Sequence, residues 1–202
     1  MPAPKRRVRL SQEERRAQLI RCAVKVAAAK GLGRFVHADV AREAGVSVPT
    51  AFLYFRNRQA LLTAVIEEVD RFYMRMAREH HNSGASPLEA VCDHLRHFGD
   101  SVDEEPDYAM IWLEWSTLVR NDFGLWDAFL DFHERVIRIL ARSIRRCQRE
   151  GTVPASISAP DSARLLTASS HALAQLKFMK RNRRIVQRYI DQSLQMALQR
   201  QS

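Results

Sequence analysis

The residues best placed to do chemistry are two hydroxyl side chains three positions apart, Ser47 and Thr50. Ser47 can cap a short helix with its side-chain oxygen, and Pro49 suits the first turn of that helix, where a missing N–H costs little. Thr50 offers a hydroxyl to a base edge or a phosphate, and a methyl group to a thymine. Together with Val48, these side chains stand at the end of a helix that could enter a DNA groove.

The elements that must position these residues are two short helices joined by a tight turn. The pattern predicts one helix over residues 37–44 and a second from Ser47 to about Phe55, with Gly45 in the turn and Val46 in the angle between them. A helix-turn-helix of this kind lays its second helix in the major groove. The spacing alone leaves an ordinary corner between two helices as the alternative.

Charge is distributed unevenly along the 202 residues. Residues 1–58 hold 13 Lys/Arg and 4 Asp/Glu (net +9), residues 59–134 hold 5 and 16 (net −11), and residues 135–202 hold 14 and 3 (net +11). A basic head suggests a polyanion such as DNA, because each neutralised phosphate releases counterions. A solvated charged surface is the alternative explanation.

Apolar residues recur at helical spacing along most of the chain, and no strand pattern is found. Ser11 and Glu14 form a capping-box pattern at the start of the first helix, which Gly31 ends. The sequence therefore predicts an all-α fold of about nine helices. The later predicted helices cover residues 58–80, 87–102, 106–121, 125–150, 160–180 and 183–199.

The predicted domains are a flexible basic arm at residues 1–10, a three-helix helix-turn-helix domain at 11–57, and a larger ligand-binding and dimerisation domain at 58–202. The N-terminus lacks the apolar stretch of a signal peptide, and no apolar run reaches the roughly 18 residues of a membrane-spanning helix. The three cysteines are odd in number and far apart, which fits a reduced setting. We therefore expect a cytoplasmic protein.

The chain resembles the TetR family of transcription regulators over the run VHADVAREAGVS and the positions that follow it, namely Val36 to Ser47, Thr50, Tyr54, Phe55, Arg58, Leu61 and Leu62. Within that family it is most similar to the LuxR/HapR group of Vibrio quorum-sensing master regulators. That similarity rests on four short segments: 31–34 (GLGR), 37–39 (HAD), 46–48 (VSV) and 112–116 (WLEWS).

The resemblance implies that Ser47 and Thr50 contact DNA from the recognition helix, while Tyr54 and Arg58 touch phosphates. It also implies that the basic arm enters the minor groove, where a narrow A·T-rich tract concentrates negative potential. The complete predicted set of DNA-contacting residues is Lys5, Arg6, Arg7, Arg9, His37, Ser47, Val48, Thr50, Tyr54, Arg56 and Arg58.

Two positions depart from the LuxR/HapR pattern. Pro49 stands where the group has Ala, and Leu53 stands where the group has Asn, a natural adenine reader. The change affects which operator is read more than whether DNA is bound, because phosphate contacts supply most of the affinity. Structural alternatives exist for three of the predicted contacts: His37 could pack or cap its helix, Tyr54 could be a core aromatic, and Arg56 could be a solvated charge.

The long helices after residue 58 carry many bulky apolar side chains. In TetR-like proteins such helices enclose a ligand pocket, and ligand binding changes the separation of the two recognition helices in the dimer. The predicted pocket residues are Tyr73, Trp112, Trp115, Phe129, His133 and Phe178. An ordinary aromatic core is the alternative.

The last two predicted helices are expected to form a dimer interface, through apolar and small residues at helical spacing: Leu165, Ser169, Ala172, Leu173, Leu176, Ile190, Leu194 and Leu198. A symmetric dimer delivers two recognition helices to two half-sites of a pseudo-palindromic operator. The expected partners are double-stranded DNA, a second copy of the chain and a hydrophobic small-molecule effector, with no membrane contact.

No catalytic motif of the GxSxG, GxxxxGK[ST] or GxGxxG type is found. His80, His81, His94 and His97, with Cys92 near the last two, are the only candidate metal cluster, and zinc needs three or four convergent ligands. We therefore expect no enzyme activity, no cofactor and no metal. The predicted function is a TetR-type repressor or dual regulator, either HapR-like and linked to quorum sensing or a local repressor released by a hydrophobic inducer. A helical adaptor or small-molecule-binding protein that does not bind DNA is the alternative from another class.

Overall fold

The computed structural model describes residues 10–82, 86–118 and 123–199. Over these ranges the chain folds into nine α-helices without any strand, which confirms the predicted all-α fold. The helices are α1 (Gln12–Lys30), α2 (His37–Ala44), α3 (Val48–Tyr54), α4 (Arg58–Asn82), α5 (Pro87–Glu104), α6 (Pro106–Leu118), α7 (Phe123–Arg149), α8 (Ala159–Phe178) and α9 (Arg183–Leu198).

Local sequence signals set several helix ends. At the start of α1, the Ser11 side chain accepts a hydrogen bond from the Glu14 amide (3.1 Å), and the Glu14 carboxylate accepts one from the Ser11 amide (2.7 Å). The same reciprocal cap, between Ser86 and Glu89, begins α5. These bonds satisfy amides that the first helical turn leaves without partners.

The chain divides into two compact units, one ending at Glu68 and the other beginning at Val69. In the first unit α1 packs on α2, and α2 packs on α3. Its core is apolar and includes the fully buried side chains of Leu19, Phe35, Val40 and Phe55. This core holds α3 in place from one side and leaves its other side to solvent.

In the second unit α5, α7 and α8 pack against one another, α6 packs on all three, and α9 packs mainly on α8. Trp112 and Trp115 of α6 are buried in its core. None of the helices in the described ranges combines the length and apolar character that a bilayer-spanning segment needs.

Candidate nucleic-acid interface

The predicted turn between α2 and α3 is present. Gly45 ends α2 with φ +65°, a left-handed conformation that glycine adopts at no steric cost. The Val46 amide then donates to the Ala41 carbonyl (3.0 Å), which closes the turn. Ser47 is extended, and its hydroxyl oxygen accepts a hydrogen bond from the Thr50 amide (3.3 Å), so it caps α3 as the sequence predicts.

Helix α3 has one buried side and one exposed side. Ala51 is buried against the core of the first unit, whereas Val48 is 38% exposed, Phe52 47% and Leu53 84%. Ser47 is exposed at the cap, and its hydroxyl lies 2.7 Å from the Thr50 hydroxyl. The helix that the sequence predicts to read DNA therefore presents a protruding surface.

His37 is placed differently from the prediction. Its ring is only 4% exposed, its Nε2–H donates to the Phe55 carbonyl (2.6 Å), and it stacks on the Phe52 ring at a centroid distance of 3.9 Å. The imidazole thus ties the start of α2 to the end of α3. The ring is buried and already bonded, as the packing alternative proposes, and contact of His37 with DNA stays a prediction.

The predicted phosphate contacts beyond α3 lie in and around the short link to α4. Arg58 is exposed and donates one hydrogen bond to the Leu32 carbonyl (2.9 Å), which orients a guanidinium that has five N–H groups in all. Arg56 is exposed and Tyr54 is half-buried. Asn57 fixes the link, since its side chain caps the Ala60 amide (2.8 Å).

Sequence reasoning missed Arg15 and Gln18 of α1. Both line a surface groove that also contains Gly45, Ser47 and Thr50, and Arg15 donates to Gln18 at 2.6 Å. A half-buried guanidinium beside the cap of α3 is a further candidate phosphate contact. The helical period of α1 identifies its buried stripe, but it does not reveal which exposed edge lies beside the turn.

An ion pair between Lys30 and Asp39 links α1 to α2. The nearly buried Asp39 carboxylate accepts hydrogen bonds from the Lys30 ammonium (2.5 Å) and from the Val36 amide (3.2 Å). The bond with Lys30 is the main cause that lowers the pKa of Asp39. This pair joins the end of α1 to the start of α2, and so fixes the helix that precedes the turn.

The basic arm residues predicted to enter the minor groove lie outside the described part of the chain: Lys5, Arg6, Arg7 and Arg9. Their contact with DNA stays a prediction.

In the second unit, five of the six predicted pocket residues lie in one aromatic cluster. Tyr73 lies 5.9 Å from Trp112, Trp115 5.4 Å from Phe129, and Phe129 4.1 Å from His133, all as distances between ring centroids. Trp112 and His133 are also stacked, at 6.3 Å.

The observed aromatic cluster differs from the predicted pocket set at two residues. Phe178 is half-buried and makes no ring contact with the cluster among the described residues. Sequence reasoning also missed His171 of α8, whose ring lies 3.9 Å from Trp112 and 5.2 Å from His133. A single histidine on a helix whose other residues are mostly small or aliphatic gave no signal that it would meet aromatic rings from two other helices.

The cluster borders a cavity of about 20 Å³. Its lining includes two of the predicted residues, Tyr73 and Trp112, together with Phe98 and Phe132. That volume can hold about one water molecule, whereas ligand pockets measure roughly 300–1,000 Å³. Trp115 does not line the cavity, and its indole N–H donates to the Leu125 carbonyl at 3.0 Å. In this conformation the predicted pocket is therefore nearly closed.

The cluster contains buried polar atoms without a hydrogen-bond partner in the described structure, among them the Tyr73 hydroxyl, Trp112 Nε1 and His133 Nε2. Burial raises the pKa of the Tyr73 hydroxyl. Burial, reinforced by the neighbouring His133, lowers the pKa of His171 to about 4, and burial lowers the pKa of His133 as well. Both histidines are therefore neutral at neutral pH. Each unsatisfied polar group costs roughly 1–3 kcal/mol, so a molecule that bonded them would be stabilised here.

The predicted dimer-interface residues are mostly inside the chain's own core. Five of them are buried within this one copy: Ser169, Leu173, Ile190, Leu194 and Leu198. They instead belong to the stripes with which α8 and α9 pack against each other and against the rest of the unit. Leu165 is 38% exposed, and Ala172 and Leu176 are half-buried.

The histidines and the cysteine considered for a metal site lie on α4 and α5. Among the described residues, no group of three or more His, Cys, Asp or Glu side chains is arranged to hold a metal ion. Cys92 and His94 are buried in α5 of the second unit.

Comparisons with known proteins relate the N-terminal region of the chain to one family. Residues 19–65 match the model for bacterial regulatory proteins of the tetR family. The chain is 31% identical to the HTH-type transcriptional regulator LuxR of Vibrio harveyi over 128 residues, which is 63% of this chain and 62% of that regulator. The alignment therefore spans less than two thirds of LuxR.

Solved structures of TetR-type regulators share the fold. A putative TetR-family regulator from Rhodococcus sp. superposes with a TM-score of 0.78 at 20% identity, covering 92% of this chain and 99% of that one. A cysteine mutant of the TetR-family regulator CifR, complexed with a 26-bp operator duplex, gives a TM-score of 0.77 at 17% identity, covering 94% and 98%. Residues 19–65 therefore carry the N-terminal domain of the tetR family of bacterial regulatory proteins, and the chain shares the all-helical fold of solved TetR-type regulators.

Proposed function

We propose that this chain regulates transcription by binding a pseudo-palindromic operator as a homodimer. The observation that carries the proposal is the Ser-capped helix α3. One side of this helix packs on the core of the first unit, and the other side exposes large side chains. The match of residues 19–65 to the tetR-family model supports the use of this helix in the major groove. In this proposal residues 11–57 bind DNA, and residues 58–202 form the regulatory and dimerisation part.

The proposed contacts divide by chemistry. Ser47, Val48 and Thr50 meet the base edges or the adjacent backbone, whereas Tyr54, Arg56 and Arg58 meet phosphates on either side. The arm formed by Lys5, Arg6, Arg7 and Arg9 enters the neighbouring minor groove. Cations that flank an uncharged helix surface suit a duplex, whose phosphates border the groove that holds the bases.

For the dimer, the proposed surface is the set of side chains that α8 and α9 leave uncovered. On α8 these are Leu165, Ala168 and Ala172, with Met179 directly after the helix. On α9 they form a second stripe of Ile185, Tyr189 and Met196. Two exposed apolar stripes on neighbouring helices are the pattern of a protein–protein interface. Pairing with a second copy would bury both and give the symmetry that a palindromic operator needs.

The proposed regulatory site is the aromatic cluster around Trp112. Its unpartnered polar atoms favour a neutral, largely apolar effector with one or two hydrogen-bonding groups. Because the cavity measures only about 20 Å³, such an effector would have to open the packing of the helices around it. An effector site of this kind favours a repressor that is released by an inducer. Similarity to the LuxR/HapR group favours a quorum-sensing role instead. The proposal places the protein in the cytoplasm, where its DNA lies.

The direct test is binding of the full chain to a randomised duplex pool across a salt series. Affinity should fall steeply with salt, because each phosphate contact releases counterions. Arg56→Gln should reduce the slope of log K against log salt by about 1. Arg149→Gln, which removes an exposed cation from α7 in the second unit, is the matched control and should leave the slope unchanged. Binding that ignores salt would contradict the proposal and favour the helical adaptor.

A further inference from the structure

The outward face of α3 carries apolar side chains at its centre. Pro49 and Leu53 are one helical turn apart and both exposed, and Phe52 lies beside them with its ring against His37. Leu53 is the most exposed large apolar side chain in the described chain, at 84%. Exposed apolar surface of this kind is unfavourable in water, and covering it with another apolar group lowers the free energy.

Hydrogen-bonding groups are confined to the edges of the same helix. The hydroxyls of Ser47 and Thr50 lie 2.7 Å apart and bond to each other, and the Ser47 oxygen also accepts the Thr50 amide. Pro49 has no N–H to donate, and the side chains of Phe52 and Leu53 have neither donor nor acceptor. The centre of the helix can therefore neither donate to a purine edge nor accept from one.

The charges around the helix indicate what its centre would meet. Arg15 lies in the groove beside Ser47, and Arg56 and Arg58 follow the helix directly along the chain. This arrangement of cations around an uncharged centre complements a DNA groove, in which phosphates border the bases. Among the four base pairs, the apolar group exposed in the major groove is the C5-methyl of thymine.

We infer that α3 recognises thymine, through contact of Leu53, with Phe52 and Val48 beside it, to the C5-methyl groups of the operator half-site. The inference rests on the proposed function, because it needs α3 in the major groove. It assigns specificity to Leu53, a residue outside the set of predicted DNA contacts. It also predicts half-sites that carry thymine, on either strand, at the steps that face Leu53.

The test removes the methyl group alone. The full chain first selects duplexes from a randomised pool, and the strongest duplex is then remade with deoxyuridine in place of each thymine in turn. Deoxyuridine keeps the pairing and the major-groove acceptor and lacks only the methyl. Burial of one such group is worth about fourfold in affinity, so substitution at a contacted step in both half-sites should weaken binding about fifteenfold. Thymines outside the half-sites are the internal control.

A variant of Leu53 separates direct contact from an effect on DNA shape. Leu53→Ala should bind the thymine duplex more weakly and lose the deoxyuridine penalty at one step, because its side chain no longer reaches the methyl. Because Leu53 is exposed, this substitution should leave the stability of the fold unchanged. Arg56→Gln is the matched control: it should weaken binding to every duplex and keep the full deoxyuridine penalty.

The outcomes distinguish the inference from the function on which it rests. Equal affinity for thymine and deoxyuridine duplexes, or an unchanged penalty in Leu53→Ala, would overturn the thymine inference while leaving DNA binding intact. Failure of the chain to bind any duplex at low salt would overturn the proposed function itself.

Discussion

Replacement of His37 by Ala tests whether this residue supports the DNA-binding unit or contacts DNA. The ring is 4% exposed and donates to the Phe55 carbonyl at 2.6 Å. Its loss leaves that buried carbonyl without this donor, at a cost of about 1–3 kcal/mol. Loss of the stacked contact with Phe52 adds about 0.5–1.5 kcal/mol. We expect the first unit to be destabilised by about 2–4 kcal/mol.

The chain offers a convenient assay for this effect. All three tryptophans, Trp112, Trp115 and Trp126, lie in the second unit, so tryptophan fluorescence follows that unit alone, whereas circular dichroism follows the helices of both. In urea, His37→Ala should add an early transition to the dichroism curve and leave the fluorescence curve in place. Both curves are measured at one protein concentration, because association shifts the apparent stability.

A direct contact between His37 and DNA predicts a different result. If His37 contacts a phosphate, His37→Ala should leave the dichroism transition within about 0.5 kcal/mol of the parent and lower the salt slope of DNA binding by about 1. That pair of results would refute the packing role. Arg56→Ala is the matched control, since it removes an exposed cation and should change the salt slope without changing the unfolding curve.

Thr50→Ala should change which duplexes are selected from a randomised pool, whereas Arg58→Ala should weaken binding to all of them alike, about tenfold; equal losses on every sequence for Thr50→Ala would count against base reading. Leu165→Glu combined with Met196→Glu should convert a dimer to a monomer in sedimentation velocity, and an unchanged dimer would move the interface elsewhere. The lowered pKa of His171, about 4 in the folded chain against about 6.5 unfolded, means that the unfolded state binds the extra proton as pH falls between these values. Stability of the second unit, measured by tryptophan fluorescence in urea, should therefore be full above pH 6.5 and fall by roughly 3 kcal/mol towards pH 4, and His171→Phe should flatten that dependence; an equal pH dependence in the variant would refute it.

Helix ends and the turn of the DNA-binding unit could be predicted from the sequence because they depend on neighbours in the chain. The hydroxyl of Ser11 meets the amide of Glu14 three residues away, and Ser47 meets Thr50 at the same spacing. Gly45 adopts a positive φ that its lack of a side chain permits. Each of these interactions spans a single turn, so the identities of a few residues were sufficient.

The roles of individual apolar and aromatic residues could not be predicted in this way. Periodicity showed that Leu194 and Leu198 belong to a buried stripe of α9, but a stripe looks the same whether a helix of the same chain or a second copy covers it. His37 is similar, because its partner Phe55 is 18 residues away and is brought near only by the packing of α2 on α3.

The helical fold, the order of the helices and the capped turn that presents α3 could all be predicted from the sequence, because they follow from hydrophobic period and short-range hydrogen bonds. Packing between helices sets which surfaces remain uncovered, namely the apolar centre of α3 and the outer stripes of α8 and α9, and it sets the small size of the cavity beside Trp112. These features depend on close packing between residues that are far apart in the chain, and local sequence patterns do not encode such contacts.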